Sequence, residues 1–521
     1  MKREDVTHPR RIYAVGGAVL ALGLALLIVL TSCQLSFKPV VAPAPAPESK
    51  AAGTTVNPPS NQSAQTQTQS QAAAQNYTAK LAFSPSHAKP GATVQVQGSG
   101  YPANSTVAMV WYTVDGQYEV RDGTEFVGER FTPRSEVLST VVADKNGNIQ
   151  TNFTVPTHDY GGPHDVRGRV ENREISQASL TIDPEFSLTP SEGAVGTPIE
   201  MRIDGVDWRS NINTWHVLYD NHYLGFMSAV TTKGQAVARF RAAGPVGTHQ
   251  ISVWHNSVNT IPYLNFQQGP FKDVPVGSFT FQVTSDPGPS AALVEDFTAT
   301  DQPWASSTQG SGTLRLTRDR GTVGQTTSLS GSGLPANAHL TLQWWTMVGN
   351  RVTASGFSPQ ARSLPDVTTG PDGSFTTDLK IPDDLGGQHR IEVLQGDKSL
   401  ASTGLVIEPS LVSISPTRVK AGDKVQLHLK GVGWTTYDNT YAVTYDNSYI
   451  GYVCGFSTNG DVQFTVTATG APGTHLIDLY PTIYKGTDQQ PRIYSIPQLT
   501  YANDHPQRIT PAIHLAIEVV E

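Results

Sequence analysis

The chain repeats itself at a fixed offset, and that repeat constrains its fold more than any single motif does. Pro190, Gly196, Gly205, Trp208, Tyr219, Asp220, Asn221, Tyr223, Gly225, Gly234, Gly247 and His249 recur 226 residues later as Pro416, Gly422, Gly431, Trp434, Tyr445, Asp446, Asn447, Tyr449, Gly451, Gly460, Gly473 and His475. An offset of that length, held without a gap, marks duplicated multidomain units. A second repeat lies ahead of each copy, where Gly98-Ser99-Gly100-Tyr101-Pro102-Ala103-Asn104 matches Gly331-Ser332-Gly333-Leu334-Pro335-Ala336-Asn337. The order is therefore A, B, A′, B′. All four modules carry a turn glycine followed by Gly-x-His-x-[Val/Ile], which puts His164, His249, His389 and His475 at equivalent points. Duplicated modules are the habit of surface, adhesive and structural proteins more than of single-site enzymes.

At 521 residues the chain is too long for one core and fits about four domains of roughly 100 residues. Charged residues are only 15% while Gly (47) and Pro (36) are plentiful, which suits short strands and many turns. The formal net charge is −8, and no Lys/Arg run follows the N-terminus, so nucleic acid is excluded as an expected partner.

The first 33 residues read as an export signal or anchor. From Ile12 to Leu30 the chain is uncharged and mostly apolar, long enough to cross a hydrocarbon core as a helix, and four basic residues precede it. The modules should therefore lie on the extracytoplasmic face of the cell membrane. The stretch runs into Leu30-Thr31-Ser32-Cys33, which resembles the bacterial lipoprotein signal. Two readings stay open: a lipidated Cys33, or an uncleaved transmembrane anchor, since the apolar run is longer than the usual ~7–15 residues of a signal peptide. Residues 34–77 are rich in Pro, Ala, Ser, Thr and Gln and almost free of large apolar side chains, the composition of a disordered stalk. The modules are then expected at 78–184 (A), 185–286 (B), 312–408 (A′) and 409–521 (B′), with a linker at 287–311. Cys454 stands where the other copy has Ser228 and reads as a half-buried small residue.

Period-two alternation, as in Thr93-Val94-Gln95-Val96-Gln97 and Lys424-Val425-Gln426-Leu427-His428-Leu429, predicts antiparallel strands with one face inward. A strand bearing an aromatic follows in each module, with Trp111 in A, Trp344 in A′, Trp215 and Tyr219 in B, and Tyr441 and Tyr445 in B′. Such rings fill the middle of a two-sheet core. The fold class expected is all-β, with four tandem β-sandwiches after the N-terminal helix and stalk. Ser415-Pro416 with Ala421-Gly422-Asp423-Lys424-Val425 and Gly431-Val432-Gly433-Trp434 resembles the opening of bacterial IPT/TIG-type immunoglobulin-like domains. The string Pro245-Val246-Gly247-Thr248-His249 is similar to a later turn of such domains, with His where Tyr is usual. The resemblance implies an immunoglobulin-like fold and an exported setting, and it implies no catalytic residue.

The most specific local string is Tyr-Asp-Asn-x-Tyr-x-Gly at 219–225 and 445–451. Asp-Asn between two aromatic strands predicts solvent-exposed two-residue hairpin turns. The alternative reading makes Asp220, Asn221 and Tyr223, with Asp446, Asn447 and Tyr449, polar and aromatic tips that hold a glycan, a cell-wall polymer or a protein loop. The four histidines predict a structural role, a ring-to-main-chain hydrogen bond in place of a tyrosine corner, beside the structural Trp111 and Trp344. Long segments containing Ile261-Pro262-Tyr263-Leu264-Asn265-Phe266 in B and Ile496-Pro497-Gln498-Leu499-Thr500-Tyr501 in B′ offer aromatics for binding, or simply pack over their own modules. No nucleophile elbow, zinc helix, Cys-x-x-Cys pair, P-loop or dinucleotide fingerprint is present, and Asp383 and Asp384 find no matched carboxylate. No catalytic residue, metal or cofactor is expected. Surface display or adhesion leads, ahead of a carbohydrate-capturing lipoprotein and of a hydrolase at a module junction.

Overall fold

The computed structural model describes residues 77–209, 213–255, 275–295, 312–349, 356–484, 493–506 and 510–521, together with residues 262, 264 and 267. The anchor with Cys33, and the stalk up to residue 76, lie outside the described residues. Among the described residues every regular element is a strand, and no helix is long and apolar enough to cross a membrane.

One architecture recurs four times, a three-stranded sheet facing a larger one, of five strands in A and B, six in A′ and seven in B′. In A, Lys80–Ser84, Thr93–Ser99 and Ile149–Thr154 face a sheet ordered His87–Ala88, Arg173–Ile182, Gly162–Val170, Thr106–Arg121, Glu125–Val142. B repeats it with Glu185–Thr189, Pro198–Asp204 and Gln235–Arg241 against Glu192–Gly193, Pro275–Val283, Gly247–His255, Thr214–Tyr219, His222–Ser228. A′ and B′ follow the same order. These are tandem immunoglobulin-like sandwiches. In A, B and B′ the first strand ends at a cis-proline, Pro85, Pro190 or Pro416, before the chain crosses to the other sheet.

Alternation produces the cores. Thr93–Ser99 and Lys424–Lys430 bury every second residue, so Val94 and Val96, and Val425, Leu427 and Leu429, face inward. Trp111, Trp344 and Tyr441 are fully buried at the centres, with Trp215, Tyr219 and Tyr445 close to it.

The modules are not beads on a string, because the described residues from 77 onward form one compact unit. Within each half the joint is made by glycines. Gly161 N–H donates to Val206 O at 2.8 Å, and Gly386 N–H donates to Val432 O at 2.9 Å. A Cβ on Gly161 would lie 1.7 Å from Gly205 O, and one on Gly386 would lie 1.9 Å from Gly431 O, so the two backbones approach only because neither residue has a side chain.

Two further devices join the halves. The hairpin Thr106–Arg121/Glu125–Val142 of A is far longer than its counterpart His339–Gly349/Phe357–Ser363 in A′, and its end reaches B′. There Phe126 packs with Tyr437 and Ile483, Phe126 N–H donates to Thr436 Oγ1 at 2.6 Å, and Thr436 N–H donates to Thr124 O at 3.2 Å. Meanwhile Leu476, Tyr480, Leu499, Tyr501, Ala512 and Ala516 of B′ belong to the same buried cluster as the core of B. The stretch expected to be a bare linker also takes part, since Leu293–Val294 pairs antiparallel with Ile513 and His514 of B′. A short edge segment there adds backbone hydrogen bonds that composition gives no hint of.

Candidate functional site

The hairpin tips are the first candidate. Asp220 and Asn221 have φ of 48° and 65°, and Asp446 and Asn447 have 46° and 61°, the left-handed pair that a two-residue hairpin turn requires. Tyr219 and Tyr445 turn inward, where their hydroxyls donate to Ala243 O at 2.8 Å and Thr469 O at 2.7 Å. Each tip carboxylate is committed within its module. Asp220 accepts from His249 Nδ1 at 2.6 Å and from Gln250 N–H at 2.8 Å, while Asp446 accepts from His475 Nδ1 at 2.5 Å and from Leu476 N–H at 2.8 Å. The opposite ring nitrogens face Pro245 O and Ala471 O. Both nitrogens of His475 thus face acceptors, and the Asp446 hydrogen bond raises its pKa above the ordinary range against the opposing effect of burial.

The two tips differ in surroundings. Asn221 is exposed, but Asn447 is fully buried and donates through Nδ2 to Arg241 O of B at 2.7 Å. The expectation of two solvent-exposed Asp-Asn turns therefore fails for Asn447, because B′ presses its tip against B. The outer tyrosines are also engaged. Tyr223 lies 2.9 Å from His216 Nδ1, and Tyr449 donates to Ser495 O at 2.6 Å.

In A and A′ the histidines follow a different plan. His164 stacks on Trp111 at 4.2 Å between ring centres and His389 on Trp344 at 4.5 Å. His164 faces Tyr112 O and Tyr160 O, and His389 faces Trp345 O and Leu385 O, which is the ring-to-main-chain arrangement the sequence suggested. Burial pulls the pKa of His389 below the ordinary value, against the pull of Asp384. In B and B′ one main-chain acceptor is replaced by the tip aspartate, a difference the shared Gly-x-His string does not reveal.

Asp384, which looked like an unpartnered turn carboxylate, is fully buried and accepts from Trp344 Nε1 at 2.8 Å, Thr346 Oγ1 at 2.7 Å and Leu385 N–H at 2.9 Å. Asp159 does the same in A with Trp111, Thr113 and Tyr160 N–H. The signal was present as Asp-x-Gly-Gly-x-His at 159–164 and 384–389. One string supplies a core carboxylate, a glycine joint and a corner histidine.

The B–B′ interface contains a buried group of charges. Arg241 reaches from B to place Nη2 2.7 Å from Asp478 Oδ1 and 2.7 Å from Leu515 O. His514 Nδ1 lies 2.7 Å from the same Asp478 oxygen and its Nε2 3.1 Å from Glu295 Oε1, while Tyr501 donates to Glu295 Oε2 at 2.6 Å. Burial would raise the pKa of Asp478, yet the Arg241 and His514 charges bring it below the ordinary value. Burial and the Arg241 charge lower the pKa of His514, but the Asp478 charge and its hydrogen bonds to Asp478 and Glu295 prevail and raise it to about 9. Nearby, the fully buried Asp504 accepts from Ser228 Oγ at 2.6 Å, Val230 N–H at 2.9 Å, Thr231 N–H at 2.9 Å and Tyr118 of the A hairpin at 3.0 Å. No local motif marks these residues: Asp478 and His514 stand opposite each other on neighbouring strands of B′, and Arg241 of B reaches Asp478 only across the docked modules. Tyr480 and Tyr501 of the long B′ segment are fully buried here, so they pack rather than present a binding face. The side chains of Tyr484 and Tyr494, and most of Ile261–Phe266, lie outside the described residues.

One cleft of about 510 Å³ opens beside the B′ tip. His222 of B closes it on one side, and Asp446, Ser448, Ile450, Thr465 and Thr467 of B′ on the other. Cys454, expected half-buried, is exposed at the end of the B′ strand Ser448–Cys454, and the partial desolvation of its thiol raises its pKa. Among the described residues no three His, Cys, Asp or Glu side chains are arranged to hold a metal ion.

No protein-family model matches the chain, and no curated protein matches it. Solved structures do. The tetra-tandem repeat in the extending region of a large adhesion protein is 11% identical, with 78% of this chain and 96% of that chain covered and a TM-score of 0.19. The ICAM-5 D1–D4 ectodomain fragment is 12% identical, with 85% and 100% covered and a TM-score of 0.18. A putative membrane anchored protein from Corynebacterium diphtheriae is 12% identical, with 63% and 89% covered and a TM-score of 0.17.

Proposed function

We propose that the protein is an exported, membrane-tethered surface protein that presents four immunoglobulin-like modules as one stiff body for adhesion. The observation that carries this reading is the interlocking of the modules: the A hairpin clamps B′, and B and B′ share a buried core. A chain of independent modules bends at its linkers, whereas this one transmits position from A to B′. The titratable clusters support the same reading, since Asp159, Asp384, Asp478 and Asp504 are each used to hold modules together or to fill a core. The anchor is an acylated Cys33 after Leu30-Thr31-Ser32.

The reading is tested on intact cells. Externally added protease and antibodies should reach residues 77–521, and mass spectrometry of the membrane-extracted protein should find a lipid-modified Cys33 at its N-terminus. An intact Met1 terminus would leave the transmembrane anchor; modules protected inside the cell would end the proposal. A carbohydrate-capturing role is favoured by one feature, the hydroxyl-lined cleft at Ser448, Thr465 and Thr467. A glycan and cell-wall-polymer panel distinguishes the two, since capture predicts binding lost on Thr467→Val and adhesion through other surfaces does not.

A further inference from the structure

Module B is closed along one side by a piece of B′. Its two sheets end at neighbouring strands, His222–Ser228 in the five-stranded sheet and Gln235–Arg241 in the three-stranded one. A single residue of B′ bonds to both. Leu499 N–H donates to Phe226 O at 2.9 Å, Leu499 O accepts from Arg239 N–H at 3.0 Å, and Pro497 O accepts from Phe226 N–H at 2.9 Å. The Leu499 side chain is fully buried, in the cluster that contains Ile199, Met201 and Phe240 of the B core. Gly225 makes room for it, since a Cβ there would lie 2.5 Å from Pro497 O and 2.9 Å from Leu499 Cγ.

Farther along, the same segment serves the turn that joins those two strands. Thr500 Oγ1 accepts from Ser228 N–H at 3.1 Å. The buried carboxylate of Asp504 accepts from Ser228 Oγ at 2.6 Å, from Val230 N–H and Thr231 N–H at 2.9 Å each, and from Thr231 Oγ1 at 2.8 Å. The main-chain N–H groups of Phe226, Ser228, Val230, Thr231 and Arg239 in B therefore all find acceptors on residues 497–504. Main-chain donors withdrawn from water need such acceptors, and here another module supplies them.

The segment holds a bend of its own. Asn503 N–H donates to Thr500 O at 2.9 Å and Asp504 N–H to the same oxygen at 2.8 Å, which fixes the carboxylate relative to Leu499. Its far side is tied to B′, where Gln498 N–H donates to Pro481 O at 3.3 Å and the Tyr501 ring lies 6.0 Å from that of Tyr480.

An apolar anchor, main-chain bonding along a strand and a carboxylate seated on two N–H groups are together the contacts of a receptor with a short linear ligand. We propose that module B is a peptide acceptor, that residues 497–504 of B′ are the ligand it holds within the chain, and that the same sequence supplied from outside takes their place once the internal segment is weakened. The ligand class is a bent peptide with a proline, a leucine two residues on and a carboxylate five residues after the leucine. B′ thus acts as a latch that fills the acceptor and shuts B to other peptides, because tethering gives the internal segment a high effective concentration. The acceptor lies wholly within the modules and is independent of the anchor and of adhesion.

The probe is a fluorescent synthetic peptide of residues 495–506, titrated into the full-length protein and followed by anisotropy. Wild type, its acceptor filled, should show no saturation up to about 1 mM. The double variant Leu499→Ala/Asp504→Ala should bind with Kd on the order of 10–100 μM. Its amides at Phe226, Val230, Thr231 and Arg239 should exchange faster than in wild type and slow again when peptide is added. A peptide with alanine in place of Asp504 should bind at least about tenfold more weakly. Adding Gly225→Ala to the double variant should remove binding, because the new Cβ occupies the place of Pro497 O. Absence of saturable binding to the double variant overturns the proposal, whether that variant stays folded, which makes 497–504 ordinary packing, or unfolds beyond rescue by peptide. Equal binding by wild type, equal affinity for the alanine peptide, or binding that survives Gly225→Ala overturns it as well, since the peptide then sits elsewhere.

Discussion

Raising the pH reads the joint between B and B′ through one residue. His514 is held between Asp478 at 2.7 Å and Glu295 at 3.1 Å, with Arg241 on the same Asp478 oxygen and the Tyr480 ring nearby. Burial disfavours its charge, but the Asp478 charge and hydrogen bond prevail and raise its pKa to about 9, against 6.5 in the unfolded chain. Because the folded value is the higher one, the contribution is fully present below pH 6.5 and is lost as pH rises through about 9. At 1.36 kcal/mol per tenfold, that gap amounts to on the order of 3 kcal/mol. Urea unfolding of the full-length protein at pH 6 and pH 10, for wild type and His514→Gln, isolates the effect, since every other group titrates in both. The wild type should lose about 3 kcal/mol more than the variant over this interval. Equal losses would refute the assignment and mean that Asp478 is satisfied by Arg241 alone.

Arg241→Met should cost about 3–5 kcal/mol, because it leaves the carboxylate of Asp478 buried with half its partners; Arg241→Met combined with Asp478→Leu should recover most of that loss. Asp384→Ala should cost at least about 3 kcal/mol by stranding Trp344 Nε1, the Thr346 hydroxyl and Leu385 N–H, read as a lower urea midpoint. At the B tip, Asp220→Gly removes the acceptor of His249 and of Gln250 N–H and should cost about 1–3 kcal/mol. Asn221→Gly keeps the turn geometry and should cost less than about 0.5 kcal/mol by thermal unfolding. Gly386→Ala should force A′ off B′, since its Cβ meets Gly431 O at 1.9 Å, and small-angle scattering should register a more open particle.

The alternating strands, the buried tryptophans and the four-module order are all legible in the chain, because a two-sheet core imposes period two and a central aromatic on any sequence that builds it. The tip geometry was equally legible, since left-handed backbone angles select Asp, Asn and Gly locally. The partner of each tip was not. Asp220 and Asp446 reach histidines 29 residues away, and Asn447 reaches Arg241 on another module. The same holds for the long A hairpin, whose contact with Thr436 and Tyr437 spans more than three hundred residues, and for Arg241, Asp478 and His514, which carry no mutual spacing. Local rules act on neighbours in sequence, and they fixed the sandwiches. Which faces those sandwiches bury against each other depends on complementary surfaces contributed by distant segments, so only the tertiary structure decided that the duplicated halves form one body.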